Sequence, residues 1–180
     1  PGGDQTSAWA HLGLIAQETL DLPAARRWLE LAYDGAAASS DDWMRAFVMN
    51  YLADVLRELG EYDEATRLAQ ESLALFAALG DTHYLPDAQL MLAQIALDRG
   101  DCETAAPLAA LARQQYEARE DAVFIATALL VEAELAWKQG QRGEATALLE
   151  RSRVLRGTIT RNVSPRERAQ YDRLAAALEE

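Results

Sequence analysis

The chain has 180 residues, 50% of them hydrophobic and 36 of them alanine, which suits one packed helical domain and excludes a disordered or collagen-like polymer. Acidic residues outnumber basic ones 29 to 17 for a net charge of −12, so the surface as a whole repels phosphate, against nucleic-acid binding and an anionic membrane face. No uncharged apolar run approaches the ~20 residues that span a bilayer, no signal-peptide pattern opens the chain, and the single cysteine, Cys102, excludes an internal disulfide; a reducing cytoplasm is the expected compartment. Pro1 stands where a start Met would, and a piece of a longer protein is expected.

The predicted elements come in pairs. A first helix is expected over 6–19, closed by Leu20, with Asp21 as cap and Pro23 in the first turn of a second helix over 22–34. After a linker-like stretch, 35–40, and Asp41, helices follow over 44–59 and 62–79 with Gly60 between them. The same order recurs over 84–99 and 102–119 around Gly100, with Pro107 inside the second helix predicting a kink or a late start, and over 123–139 and 142–156 around Gly140. Asp81 and Asp121 repeat the punctuation of Asp41. Beyond a second linker-like stretch, 157–163, Ser164-Pro165-Arg166-Glu167 reads as a capping box for a last helix over 165–179.

These pairs are copies of one unit. The segments GEYDEATRLAQESLALF, GDCETAAPLAALARQQY and GQRGEATALLERSRVL begin at 60, 100 and 140, a spacing of 40. Three columns of small residues hold over four copies without a gap: Gly13, Ala53, Ala93, Ala133; Ala25, Ala65, Ala105, Ala145; and Ala32, Ser72, Ala112, Ser152. Small residues are required where two helix axes cross at the close end of the ~8–10 Å range. The stripe Tyr171, Leu174, Ala175, Leu178 is out of register with these columns and reads as a capping helix.

The columns, together with Trp9, Leu12 and Gly13 as a W-x2-L-G opening, resemble the tetratricopeptide repeat (TPR), although the 40-residue period exceeds the usual ~34 and the proline that ends the second helix is missing. The segment EYDEATRLAQESLALFAALGD at 61–81 is similar to the 40-residue arrays of large bacterial ATP-binding transcription regulators of the LuxR class and their antibiotic-regulatory relatives. The resemblance implies an all-α right-handed TPR superhelix, one domain over 1–180 with repeats near 6–42, 43–82, 83–122 and 123–160 and a capping helix over 164–179. It also implies a non-catalytic sensor or scaffold module that binds a protein or peptide segment. The strong excess of arginine over lysine, whose one copy is Lys138, fits a GC-rich bacterial genome.

Ligands of the family lie on positions 2, 5, 9 and 12 of the first helix of each unit, which face a concave groove. In the second unit these are Phe47, Asn50, Asp54 and Arg57; in the third Asp87, Leu90, Gln94 and Leu97; in the fourth Thr127, Leu130, Glu134 and Trp137. The bet falls on Asn50, Asp54, Arg57, Leu90, Gln94, Leu97, Leu130, Glu134 and Trp137, with Trp137 and the leucines either anchoring a ligand or packing against neighbouring helices. A small effector in a deep pocket near Trp137, and self-association through an array end, are the rival readings.

Catalytic signals are missing from the sequence. There is no phosphate-binding glycine loop and no zinc spacing, His11 and His83 have no converging partners, and Cys102 sits at a position that also holds Leu22, Tyr62 and Arg142. No cofactor or metal is therefore expected. Charge is uneven: 151–173 holds seven arginines against Glu167 and Asp172, a basic segment on an acidic array that would suit an acidic partner or a second copy.

Overall fold

The computed structural model describes residues 2–158 and 164–179, with side chains from Gln5 onward. Among the described residues there are nine helices and no strand: α1 (Gly2–Glu18), α2 (Leu22–Ser39), α3 (Asp42–Glu58), α4 (Tyr62–Leu79), α5 (Leu85–Asp98), α6 (Cys102–Ala118), α7 (Ala122–Lys138), α8 (Arg142–Gly157) and α9 (Pro165–Glu179). The expected all-α repeat fold is thus present, and odd and even helices up to α8 are the A and B helices of four units. The chain divides into two compact units, Pro1–Met91 and Leu92–Glu180. In the first, α1 packs on α2, α2 on α3 and α3 on α4; in the second, α6 packs on α7, α7 on α8, and α9 on both α7 and α8.

All twelve residues of the small columns are buried. At Gly13 an added Cβ would lie 2.6 Å from Leu29 Cγ, so even alanine needs the B helix to move. The two serines of the third column contribute a polar contact besides fitting: Ser72 Oγ donates to the Ala46 carbonyl at 2.8 Å and Ser152 Oγ to the Ala126 carbonyl at 2.6 Å. The same B-helix position thereby ties α4 to α3 and α8 to α7.

Turns between helices share one construction. Leu20, Ser40, Gly60, Gly80, Gly100, Glu120 and Gly140 all have positive φ, one every twenty residues. The residue after each donates its N–H back into the preceding helix: Asp21 to Ala16, Asp41 to Ala36, Glu61 to Leu56, Asp81 to Phe76, Asp101 to Ala96, Asp121 to Tyr116 and Gln141 to Ala136. Where that residue is Asp, its carboxylate also caps the following helix, accepting from Ala24, Met44, Tyr84, Thr104 and Phe124. Glu61 and Gln141 make no such side-chain cap, because their longer side chains fit the N–H of the first turn poorly.

Two sequence expectations are corrected. Residues 35–39 are not a linker but the last turns of α2, held because Gly35 lies so close to Thr6 that a Cβ would collide with its hydroxyl, and because the alanines that follow are strong helix formers. The late start at Pro107 does not occur: α6 is assigned from Cys102 through Pro107 to Ala118, started by the Asp101 cap. Of the second expected linker, Gly157 belongs to α8 and 159–163 lie outside the described residues.

Leu20 is held at φ 65° where the equivalent turns use glycine, and its side chain is largely exposed. A left-handed non-glycine residue costs roughly 1–2 kcal/mol, partly offset by the greater unfolded-state freedom of glycine. Leu20→Gly is therefore expected to raise unfolding stability by up to about 1 kcal/mol in a urea titration, whereas a loss would show that the Leu20 side chain contributes packing.

Candidate functional site

In the unit Pro1–Met91 the expected residues of α3 form a connected polar group. Asp54 is 5% exposed and accepts from Arg57 Nε at 3.1 Å and Nη2 at 2.8 Å on one oxygen, and from Gln17 Nε2 at 2.9 Å on the other. The i, i+3 spacing brings Asp54 and Arg57 together on one helix face, and Gln17 arrives from α1, which packs against α3. Arg57 also lies 3.5 Å from Glu58. One turn earlier is Asn50, 6% exposed, whose Oδ1 is buried without a hydrogen-bond partner. An acceptor in that state favours a donor brought to it. Gln17 is absent from the expected set although it stands forty residues before Arg57, so extending the register to the first unit would have found it.

An aromatic run borders this group. Trp43 stacks on Phe47 at 5.5 Å between centroids, Phe47 lies 4.8 Å from Tyr51, and Tyr84 meets both Trp43 and Phe47 edge-on. Phe47, Tyr84 and Leu85 pack against a core of Ala46, Phe76 and Ala88. Trp43 is not a free anchor: its Nε1 donates to Asp81 Oδ2 at 2.8 Å while the other oxygen of Asp81 accepts from the N–H groups of His83 and Tyr84. Burial alone would raise the Asp81 carboxyl, but those donors, Tyr84 first, outweigh it and hold the group below its ordinary value. Nothing in the sequence flags the Trp43–Asp81 contact, since Asp81 is legible only as a cap. Leu90 is buried on α5 and Asp87 half-buried.

In the unit Leu92–Glu180, Leu97 is buried and Gln94 half-buried on α5, while Thr127, Leu130, Glu134 and Trp137 lie along α7. Leu130 joins Ala133, Leu149, Tyr171 and Leu174 in a core cluster with Trp137 packed against it, so α9 covers part of this face. Polar contacts hold α9 there. Ser152 gives its proton to Ala126, so the Tyr171 hydroxyl, 2.6 Å away, is the donor to Ser152 Oγ; burial pushes the Tyr171 phenol above its ordinary value and keeps it protonated. Arg156 engages both oxygens of Glu167, which raises the guanidinium still further and turns the Glu167 carboxylate of the capping box toward α8. Ser164 Oγ still accepts from the Glu167 N–H at 3.1 Å.

Residues 4–78 match the tetratricopeptide repeat family. Solved TPR-like structures share the fold over nearly the whole chain. BtubC (BKLC) from P. vanneervenii superposes with a TM-score of 0.71 at 16% identity, covering 92% of this chain and 69% of that one. The nearly identical TPR-like repeats of what is named a kinesin light chain in Podosopora anserina give 0.66 at 20% identity, covering 96% and 85%. No curated protein matches the sequence. TPR repeats generally mediate protein–protein interaction, and the proteins that carry the fold are generally non-catalytic scaffolds.

Among the described residues, no group of three or more His, Cys, Asp or Glu could hold a metal ion, and no helix is long and apolar enough to cross a membrane. One cleft of about 450 Å³ is lined by Tyr33, Arg45, Met49, Glu71 and Leu75, and another of about 270 Å³ by Arg113, Glu132, Leu148 and Arg151; Trp137 lines neither. The basic segment is internally compensated in part, since Arg151 lies 3.6 Å from Glu117, Arg153 3.0 Å from Glu150, and Arg156 on Glu167.

Removing one partner of a buried ion pair leaves the other unpaired, which costs about 3–5 kcal/mol. Arg57 keeps Glu58 within reach, so Asp54→Ala is expected to cost about 2–4 kcal/mol in urea unfolding, with Gln17→Leu costing less. The depressed Asp81 carboxyl also has a signed consequence. Its contribution is complete above the unfolded value near ~3.9 and is lost as pH falls through the lower folded value, so from pH ~5 to ~3 the native chain should lose more stability than Asp81→Asn does. Parallel curves would remove Asp81 from the account.

Proposed function

We propose that this chain is a non-catalytic TPR domain that holds an extended protein or peptide segment on the faces of its A helices. Within Pro1–Met91 the contacts fall to Asn50, Asp54, Arg57 and Leu90, and within Leu92–Glu180 to Gln94, Leu97, Leu130, Glu134 and Trp137. The observation that carries the reading is the α3 group: a buried acceptor without a donor at Asn50, one turn from the paired Asp54 and Arg57. A peptide supplies what Asn50 Oδ1 is short of, a backbone N–H. The partly covered Trp137 serves as an apolar anchor at the α7 face, where Leu130 already packs on α9.

The wider setting proposed is a cytoplasmic bacterial regulator of the LuxR class, in which the chain acts as one array of four repeats closed by α9, as sensor or scaffold. Support comes from the 40-residue period, the 61–81 segment and the arginine excess. Neither cofactor nor metal is assigned to it.

The test is selection of peptides from a random library on the whole 180-residue chain, followed by affinity measurement on Asn50→Ala, Arg57→Ala and Trp137→Ala. Each substitution is expected to weaken a selected peptide by about tenfold, roughly 1.4 kcal/mol, with helicity unchanged. Unchanged affinity in all three overturns the groove reading.

A further inference from the structure

Charge on the A-helix faces is one-sided. The twelve groove positions of the second, third and fourth units hold three acids, Asp54, Asp87 and Glu134, and one base, Arg57, and the equivalent positions of the first unit hold no charged residue. That one base is already engaged. Arg57 gives Nε and Nη2 to a single oxygen of Asp54, and its Nη2 lies 3.5 Å from Glu58. One cation therefore stands against two carboxylates on α3, and Asp87 adds a further negative charge within the same unit, Pro1–Met91.

Hydrogen-bonding capacity leans the same way. Asn50 is 6% exposed and its Oδ1 is an acceptor without a donor; a carbonyl oxygen has two lone pairs, room for a backbone N–H and for a second donor beside it. The lysine ammonium and the arginine guanidinium donate and never accept, and both carry the charge that the surrounding carboxylates attract. Aromatic rings complete the match. Phe47, one turn before Asn50, lies among Trp43, Tyr51 and Tyr84, and rings favour both the apolar stem and the cationic head of a basic side chain. Asp87 donates its own N–H to the Tyr84 carbonyl at 3.1 Å. Burial first, then the negative charge of Asp87 and Asp81, holds the Tyr84 phenol above its ordinary value, so the field of Asp87 reaches these rings. An acidic segment would meet the same carboxylates as a repulsion.

We propose, on the reading of this face as a peptide groove, that the segment it holds is basic: a lysine or arginine of the partner places an N–H on Asn50 Oδ1, its stem along Phe47 and its charge in the field of Asp54 and Asp87. Screening of that attraction makes binding weaken as salt is added.

Peptides selected from a random library on the whole 180-residue chain are the probes, each compared with a version in which its lysine or arginine is replaced by glutamine. The selected peptides are expected to contain a base whose replacement lowers affinity about tenfold on the native chain, and to bind less tightly at high salt. A double-mutant cycle then localises the base: the same replacement should cost only about threefold on Asn50→Leu and on Asp87→Asn. Leucine already occupies the equivalent positions 90 and 130, so Asn50→Leu should keep native helicity by circular dichroism, and Asp87→Asn repeats the cycle without touching a buried side chain of α3. Peptides that lose affinity on Asn50→Ala, Arg57→Ala or Trp137→Ala but hold no base, favour acids, or tolerate the glutamine replacement overturn this proposal and leave the groove reading standing. A base whose replacement costs as much on both cycle variants as on the native chain overturns it as well. Failure to select any peptide, or peptides indifferent to all three alanine variants, overturns the groove reading and this proposal together.

Discussion

Ser72 and Ser152 donate to carbonyl oxygens of the helices that α4 and α8 cross, and so short a contact from a side chain with one carbon before its hydroxyl needs helix axes near the lower limit of packing distance. That closeness dictates much else. It requires glycine, alanine or serine at three places in each unit, and so leaves little room there for large side chains to supply burial. Larger apolar residues are displaced toward the junctions between units, where Phe76 packs with Ala46 and Ala88, and where Tyr116 stacks on Phe124 at 5.1 Å. Alanine abundance is in this sense an architectural requirement as much as a helix preference.

Against this apolar background the Gln17–Asp54–Arg57 group is an expensive feature. Buried charges cost several kcal/mol to desolvate and rarely repay it in stability over an apolar replacement. The equivalent positions in other units show that the fold does not need them: Asn50 corresponds to Ala10, Leu90 and Leu130, and Arg57 to Leu97 and Trp137. A polar cluster built across α1 and α3 alone and dispensable for packing fits the binding role proposed for it.

Fold was legible in this sequence because its signals repeat. A single alanine says little, but four in one column fix both the register and the face that is buried, and the Asp that follows each of five turns announces the next helix as plainly as a capping motif can. What escaped was whatever did not repeat. Leu20, Ser40 and Glu120 take the left-handed conformation that only their place in the twenty-residue rhythm reveals, and residues 35–39 read as a linker because glycine and serine are judged locally while the contact between Gly35 and Thr6 is tertiary. At the candidate site the aspartate–arginine pair was accessible from helical spacing. Donor and acceptor satisfaction at Asn50, the Trp43–Asp81 bond, and the cover that α9 places on Leu130 depend on residues distant in sequence, which periodicity does not address.

Turns that recur every twenty residues have a consequence for how such a chain can change over time. The residue after each left-handed position is shared, closing one helix with its N–H and, where it is Asp, opening the next with its carboxylate, so there is almost no loop in which extra length can be absorbed. One residue added within a helix turns everything beyond it by about 100°, carrying the small residues off the crossing and apolar ones into water. Length can then be gained or lost at little cost only in blocks of a whole unit, which leaves every crossing intact. Lineages carrying this repeat should accordingly differ by the number of units, with drift confined to exposed helix faces, rather than by scattered insertions.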